Sequence, residues 1–204
     1  MKHAIIIRID YPDTPDFYDR FMLFRANMLA RLKRQTDQNF EIWVRCNPAH
    51  NQMFQEHGCL PFNYAGEAKR NRFGAFRPWS VDSFRDYDIQ TRVDYDDIVS
   101  LDFVEKIHSL YKPGRLVCFN RYKFDLWTMK TYKRKPYHKK HVGMFLSLMK
   151  GWPFIYSRSH NKMWMDADEV ILVPHGYCWQ VIHGDNAGTS RGSVIKANDI
   201  EVQI

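Results

Sequence analysis

An apolar run from Ala4 to Ile9 gives way to a helical stripe and then to a second apolar run, and that order constrains the fold most. Short runs of this kind suit strands buried on both faces, as in a parallel sheet. The Pro-rich turn Tyr11 to Pro15 leads into Phe17 to Arg34. There Phe17, Phe21, Phe24, Met28, Leu29 and Leu32 recur at helical spacing, with Asp16 placed as N-cap. Thr36 to Asn39 is a polar turn and Phe40 to Val44 a second strand. Pro48 to His57 reads as a short helix ended by Gly58, and Leu60 to Tyr64 as a third strand. A βαβαβ order predicts a Rossmann-like α/β/α sandwich with a mostly parallel central sheet. Ligands of such sheets sit at the carboxyl ends of the strands, where Arg8, Arg45 and Asp94 are expected.

The remaining elements continue the alternation. Ala65 to Ser80 is rich in Gly, Arg and Asn and reads as a functional loop. Ile89, Thr91 and Val93 alternate with Gln90, Arg92 and Asp94, the period of an extended segment. Ser100 is placed to cap a helix from Leu101 to Tyr111, stopped by Pro113-Gly114. Arg115 to Phe119 is a further strand, followed by strands around Arg121–Leu126 and Thr128–Arg134. Glu169 to Val173 and Trp179 to His183 read as short strands or turns, and Gly184 to Gly192 as a Gly- and polar-rich tail. No composition break divides the chain, so 1–204 is expected to be a single domain, with 1–100 its ligand-binding half.

The bulk composition excludes general disorder: 45% of residues are hydrophobic, enough for a sizeable core. Net charge is +7, which fits an anionic ligand, a nucleic acid or an acidic membrane surface. The four cysteines (Cys46, Cys59, Cys118 and Cys178) form no Cys-x-x-Cys pair and are expected to be buried thiols. Met1-Lys2-His3 leads into only four apolar residues before Arg8, unlike a secretory leader. No run approaches the ~20 apolar residues of a membrane span. A cytoplasmic protein is expected, peripheral at most to the inner membrane face.

Chemistry concentrates where the strand Ile89–Asp94 runs into Asp94-Tyr95-Asp96-Asp97. Residues two apart in an extended segment point the same way, so Asp94 and Asp96 can face a single cation. Hard cations such as Mg²⁺ or Mn²⁺ prefer carboxylate oxygens, and Mg²⁺ takes substrate phosphates as further ligands. The alternative is a solvated acidic turn at the start of the next helix, where carboxylates are favourable. His183 ends an apolar strand, in Trp179-Gln180-Val181-Ile182-His183-Gly184-Asp185-Asn186, and could give the same ion a nitrogen. Arg8 ends the first strand, and Lys69-Arg70-Asn71-Arg72 lies in the Gly-rich loop. Forked guanidinium donors suit phosphates, although a solvated basic face is the commoner use. Lys130 to Lys140 is basic and interleaved with Tyr132, Tyr137 and His138, a pattern compatible with nucleic acid, with anionic lipid, or with a surface hairpin that has no specific partner. No Walker loop, Gly-x-Ser-x-Gly elbow, Gly-x-Gly-x-x-Gly or His-Glu-x-x-His is present.

Several of these pieces resemble one family. Leu32-Lys33-Arg34-Gln35-Thr36 before Phe40-Glu41-Ile42-Trp43-Val44 resembles the opening of family 2-type glycosyltransferases with the nucleotide-sugar-binding A fold (the glycosyltransferase-A type). Thr91-Arg92-Val93-Asp94-Tyr95-Asp96-Asp97 resembles the "T-R-L-D-x-D-D" of bacterial rhamnosyltransferase-like proteins in that group. Trp179 to Asn186 resembles their "W-x-Q-x-x-H-x-x-N", and Ala68-Lys69-Arg70-Asn71 resembles the "A-R-N" donor loop. The resemblance implies a metal-dependent enzyme that moves a hexose or deoxyhexose from a nucleotide-diphosphate sugar to a hydroxyl acceptor. The acceptor class (a glycan, lipid-linked glycan, protein or nucleic acid) stays open. It implies Mn²⁺ or Mg²⁺ on Asp96 and His183, with Asp94 a ligand or ribose contact. Arg8, Arg70 and Arg92 would approach the nucleotide or diphosphate, 101–204 would form the acceptor half, and the basic 121–141 segment could touch a membrane. The sequence departs from the pattern in lacking a clear Glu-Asp pair for the acceptor base and in carrying Lys150 where an acid is usual. Asp166 and Asp168 are candidate bases, since a carboxylate can take the acceptor proton. The rival readings are a Mg²⁺-dependent nuclease built on Asp94, Asp96 and Asp97, and a basic nucleic-acid-binding protein.

Overall fold

The computed structural model describes residues 1–9, 15–62, 84–133, 145–150, 154–156, 160–183 and 200–202. The turn at Tyr11, the loop Ala65–Ser80 and the tail Gly184–Gly192 lie outside these residues. In chain order the elements are β1 (His3–Ile9), α1 (Pro15–Phe24), a π-helical segment (Arg25–Leu29), α2 (Ala30–Leu32) and β2 (Glu41–Cys46). A 3₁₀ turn (Pro48–His50), α3 (Asn51–Glu56), β3 (Leu60–Phe62), β4 (Ile89–Asp94), β5 (Ile98–Val99) and α4 (Phe103–Ser109) come next. The second half holds β6 (Arg115–Asp125), β7 (Lys130–Lys133), β8 (Leu146–Met149), a 3₁₀ segment (His160–Asp166), β9 (Glu169–Ile182) and β10 (Ile200–Val202).

The expected mixed α/β architecture around a mostly parallel central sheet is present. Strands β3, β2, β1 and β4 lie side by side and all run parallel. Strand β8 pairs antiparallel with both β4 and β6, so β6 points the same way as β4. Strand β9 runs parallel to β6 along its length. The carboxyl ends of β1, β4, β6 and β9 therefore gather at one edge of the sheet.

Alternation along β1 sorts its side chains between two cores. Ile5, Ile7 and Ile9 pack with Phe17, Phe21, Phe24, Met28 and Leu32 of the first helical stretch, and with Phe103 and Ile107 of α4. Ala4 and Ile6 face the other way, against Leu116, Leu146, Leu148, Phe154, Ile155 and Met163. Burial of such side chains stabilises by about 1.5–3 kcal/mol each, so the layering follows from the apolar pattern.

Several local expectations are corrected. The helical stripe passes through the π segment at Arg25–Leu29, and Asp16 sits in its first turn, not ahead of it. Ser100 does not cap α4: Asp102 occupies that position without a side-chain cap bond, and the Ser100 carbonyl accepts from Phe103 N. Arg121 to Asp125 is no separate strand but the continuation of β6. The two short strands expected near the carboxyl terminus are one, β9.

A candidate metal–diphosphate site at the carboxyl ends of the strands

Parallel pairing sets the first row of the site. Arg8 on β1 is the register partner of Arg45 on β2 and of Asp94 on β4. Register partners point to the same face, so the row Arg45–Arg8–Asp94 crosses three strand ends. Arg92 lies on that face two residues earlier, and its guanidinium sits 4.4 Å from the centre of the Tyr156 ring. The Tyr156 hydroxyl donates to the Ile6 carbonyl at 3.1 Å, which fixes the ring. Burial pushes the Tyr156 phenol up to about 12, against the pull of Arg92 and Arg8.

The turn after β4 holds the acids. The Asp97 amide donates to the Asp94 carbonyl, closing the turn, and Arg20 of α1 donates to the Tyr95 hydroxyl. Asp96 reaches His183 just beyond β9, with Oδ2 to Nε2 at 2.8 Å and side chains 13% and 9% exposed. Asp97 does not cap the next helix. It is buried, and its Oδ1 accepts from the Val181 amide at 3.0 Å. Two successive acids thus clasp two alternate positions of one strand. Immediately afterwards β5 pairs with β9 through Ile98–Trp179 and Val99–Cys178, so backbone pairing joins the acidic turn to the strand that leads to His183.

Burial raises the Asp94 carboxyl above its ordinary range, with Asp96 adding to the rise and Arg92 and Arg8 opposing it. Burial raises Asp97 well above, reinforced by the Asp96 and Asp94 carboxylates. Desolvation is the main cause for both, and the Arg121 guanidinium opposes the rise in each. Among the described residues no group of three or more His, Cys, Asp or Glu is gathered tightly enough to hold a metal ion. The Asp96–His183 pair nonetheless fits two neighbouring ligands of an octahedral cation. Bonds of about 2.1 Å place adjacent ligands about 3.0 Å apart, and the pair stands at 2.8 Å. The remaining positions would fall to water and substrate oxygens, as Mg²⁺ prefers.

Of the residues singled out in the sequence, Asp94, Asp96, His183, Arg8 and Arg92 converge on this edge, while Arg70 and Asn186 lie outside the described residues. Asp168 is not brought to it. Its amide donates to the Gly114 carbonyl next to the start of β6, and the whole of β9 separates it from His183. Asp166 ends the 3₁₀ segment two residues before it, on the same approach to β9. Lys150 is likewise at the far end, its ammonium 3.4 Å from Asp88. Sequence reasoning missed the buried cations of this region. Arg121 is 7% exposed and its charge acts on both Asp94 and Asp97. Its place inside a strand, flanked by Asn120 and Tyr122, gave no periodic signal.

The fold is that of the glycosyltransferase-A type. No family model and no curated protein matches the chain. Among solved structures, S. aureus TarS superposes with a TM-score of 0.56 at 9% identity, over 89% of this chain and 37% of that one. TarS 1-349 in complex with UDP gives 0.54 at 8% identity, over 91% and 62%. GalNAc-T7 with UDP, GalNAc and Mn²⁺ gives 0.51 at 9% identity, over 89% and 43%. These neighbours are glycosyltransferases of that type, and the chain spans less than two thirds of each of these three. Likeness at such identities is likeness of fold.

Proposed function

We propose that this chain is a glycosyltransferase that uses a nucleotide-diphosphate sugar and a divalent cation. The observation that carries the reading is the meeting of Asp96 and His183, 87 residues apart in sequence, at the carboxyl edge of a glycosyltransferase-A-type sheet. Two of the three neighbours described above are complexes with UDP, one of them also with GalNAc and Mn²⁺, which supports the donor class and the ion. Asp96 and His183 would hold Mn²⁺ or Mg²⁺, with Asp94 alongside. Bound there, the ion would neutralise charge on the departing diphosphate.

The chain's own groups then have separable tasks. Arg8 and Arg92, with Arg70 from the loop, supply donors to the phosphate oxygens. Asp97 holds the His183 strand in place through Val181. His183 would offer the cation a nitrogen ligand beside the Asp96 oxygen. The transferred group is proposed to be a hexose or deoxyhexose, as in the rhamnosyltransferase-like resemblance, and the acceptor a hydroxyl. Asp168 lies too far away to take that hydroxyl's proton. Peripheral membrane contact through 121–141 is a separate proposal, on which the transfer chemistry does not depend.

Release of free nucleoside diphosphate from a panel of sugar donors, with Mn²⁺ and a hydroxyl acceptor, tests the reading. The expected result is Mn²⁺-dependent release that disappears in Asp96→Ala while the far-UV spectrum is unchanged. Full turnover by that variant would overturn it.

A further inference from the structure

We infer that the tip of the β6–β7 hairpin is a membrane-docking wedge for an anionic lipid surface, seated beside the candidate site. The hairpin turns through Leu126–Met129, and at its tip Trp127 is 67% exposed and Met129 70% exposed. These are the two most exposed large apolar side chains among the described residues. The tip is ordered. Trp127 N donates to Asp125 Oδ1 at 3.0 Å, and Leu126 N donates to the Ile182 carbonyl at 3.1 Å. Met129 holds a left-handed backbone, φ 55°, which costs a non-glycine residue free energy, yet its side chain remains open to solvent.

Charge identifies the occupant. Lys130 at the tip and Lys133 three residues on are exposed. In sequence the segment continues with Arg134, Lys135, Lys139 and Lys140, and from Leu126 to Met165 there is no Asp or Glu. Six of the 30 Lys and Arg fall between Lys130 and Lys140 and none of the 23 acids, so the rest of the chain is net positive by only one. Most of the net positive charge in the sequence therefore falls in the hairpin and the segment just after it. A Trp and an unbranched apolar chain beside clustered lysines match the interface of an anionic bilayer: the aromatic ring settles at headgroup depth and the cations meet acidic lipid. A nucleic acid would use the cations but has no need of an exposed Met.

The wedge leaves the sheet where Asp125 pairs with Ile182, the residue before His183. Docking there brings the strand edge that carries Asp96 and His183 to the lipid surface. Joined to the transferase reading, it favours an acceptor presented at a membrane; the docking itself does not depend on that reading.

The test is co-sedimentation of the full chain with phosphatidylcholine vesicles, with and without 30% phosphatidylglycerol, alongside Trp127→Ala/Met129→Ala, Lys130→Gln/Lys133→Gln and Trp127→Phe. The wild-type chain should bind the anionic vesicles and not the neutral ones. The apolar double variant should lose at least tenfold in partitioning while keeping its thermal midpoint, and the lysine variant should lose less. Brominated lipid should quench Trp emission in the wild-type chain, and less of the emission in Trp127→Phe. Absence of vesicle binding overturns the inference. So does binding that high salt abolishes completely and the apolar variant leaves unchanged, or equal competition by RNA with no bromine quenching. Nucleoside-diphosphate release by a chain that ignores vesicles would leave the transferase reading intact and remove only the wedge.

Discussion

Acid should weaken this protein through His3, and the size of the effect can be worked from one line of side chains. At the amino end of the sheet the Asp37 carboxylate meets His108 Nδ1 at 2.6 Å, and His108 Nε2 meets His3 Nδ1 at 2.9 Å. The other His3 nitrogen meets Thr91 Oγ1 at 2.7 Å, and that hydroxyl meets Ser147 at 2.7 Å. The line ties β1 to β4 and β8 at the end opposite Asp94. Burial, aided by His108 and opposed by Asp37, lowers His3 from 6.5 to about 3. In the unfolded chain the imidazole takes a proton near pH 6.5; in the folded one it stays neutral until about pH 3. A base with a lowered folded pKa costs nothing above the unfolded value and destabilises increasingly as pH falls below it. At about 1.36 kcal/mol per unit, the drop from pH 6.5 to pH 4 removes about 3.4 kcal/mol. Urea unfolding of the wild-type chain and of His3→Gln across pH 8 to 4 isolates this contribution. The variant starts less stable, because a hydrogen bond is lost, but its decline with acid should be shallower by about 3 kcal/mol. Parallel curves would refute the buried neutral imidazole.

The clasp and the far end of the sheet are open to substitution in the same way. Asp97→Asn keeps an acceptor for Val181 N, whereas Asp97→Ala removes that hydrogen bond, so Ala should be less stable than Asn by about 1 kcal/mol; equal urea midpoints would contradict the clasp. Tyr156→Phe removes the bond to the Ile6 carbonyl and should cost about 1 kcal/mol, read by thermal unfolding. Gly114 has φ +77°, and a Cβ there would stand 2.1 Å from Asp168 Oδ2. Gly114→Ala should therefore lose more than about 1 kcal/mol, with part recovered in Gly114→Ala/Asp168→Gly. No recovery would mean that the backbone angle alone is responsible.

The parts of the fold legible in the sequence were those with strong periodicity. The β1 run, the first helical stripe and the alternation into Asp94 all lie within a residue or two of the expected bounds. What failed did so for identifiable reasons. Between the two segments expected at Glu169–Val173 and Trp179–His183 the strand in fact continues: a register shift opposite Phe119 and Arg121 absorbs the extra residues, with Gly176 at φ 124°. That misreading also hid the distance between Asp168 and His183, since two short strands leave room to fold back and one long strand does not. Strand β8 is buried at every position, so it shows neither a two-residue nor a helical period. In the site, the Asp96–His183 contact was legible because both residues carry distinctive chemistry in a motif. The clasp of Asp97 was not, because its partner is a backbone amide, which any residue could provide.

Asp96 and His183 are proposed to hold a cation under a nucleotide-diphosphate sugar, and a thermal-shift panel probes that binding. The chain would be melted with UDP-, GDP-, dTDP- and CDP-sugars, with and without Mn²⁺, beside Asp96→Ala. A donor present at about a hundred times its Kd stabilises by about 2.7 kcal/mol, a rise of about 5–10 °C for a domain of this size. The account predicts such a rise for at least one donor class, dependent on Mn²⁺ and absent in Asp96→Ala. A donor-induced rise of equal size without Mn²⁺, or in the variant, would contradict it.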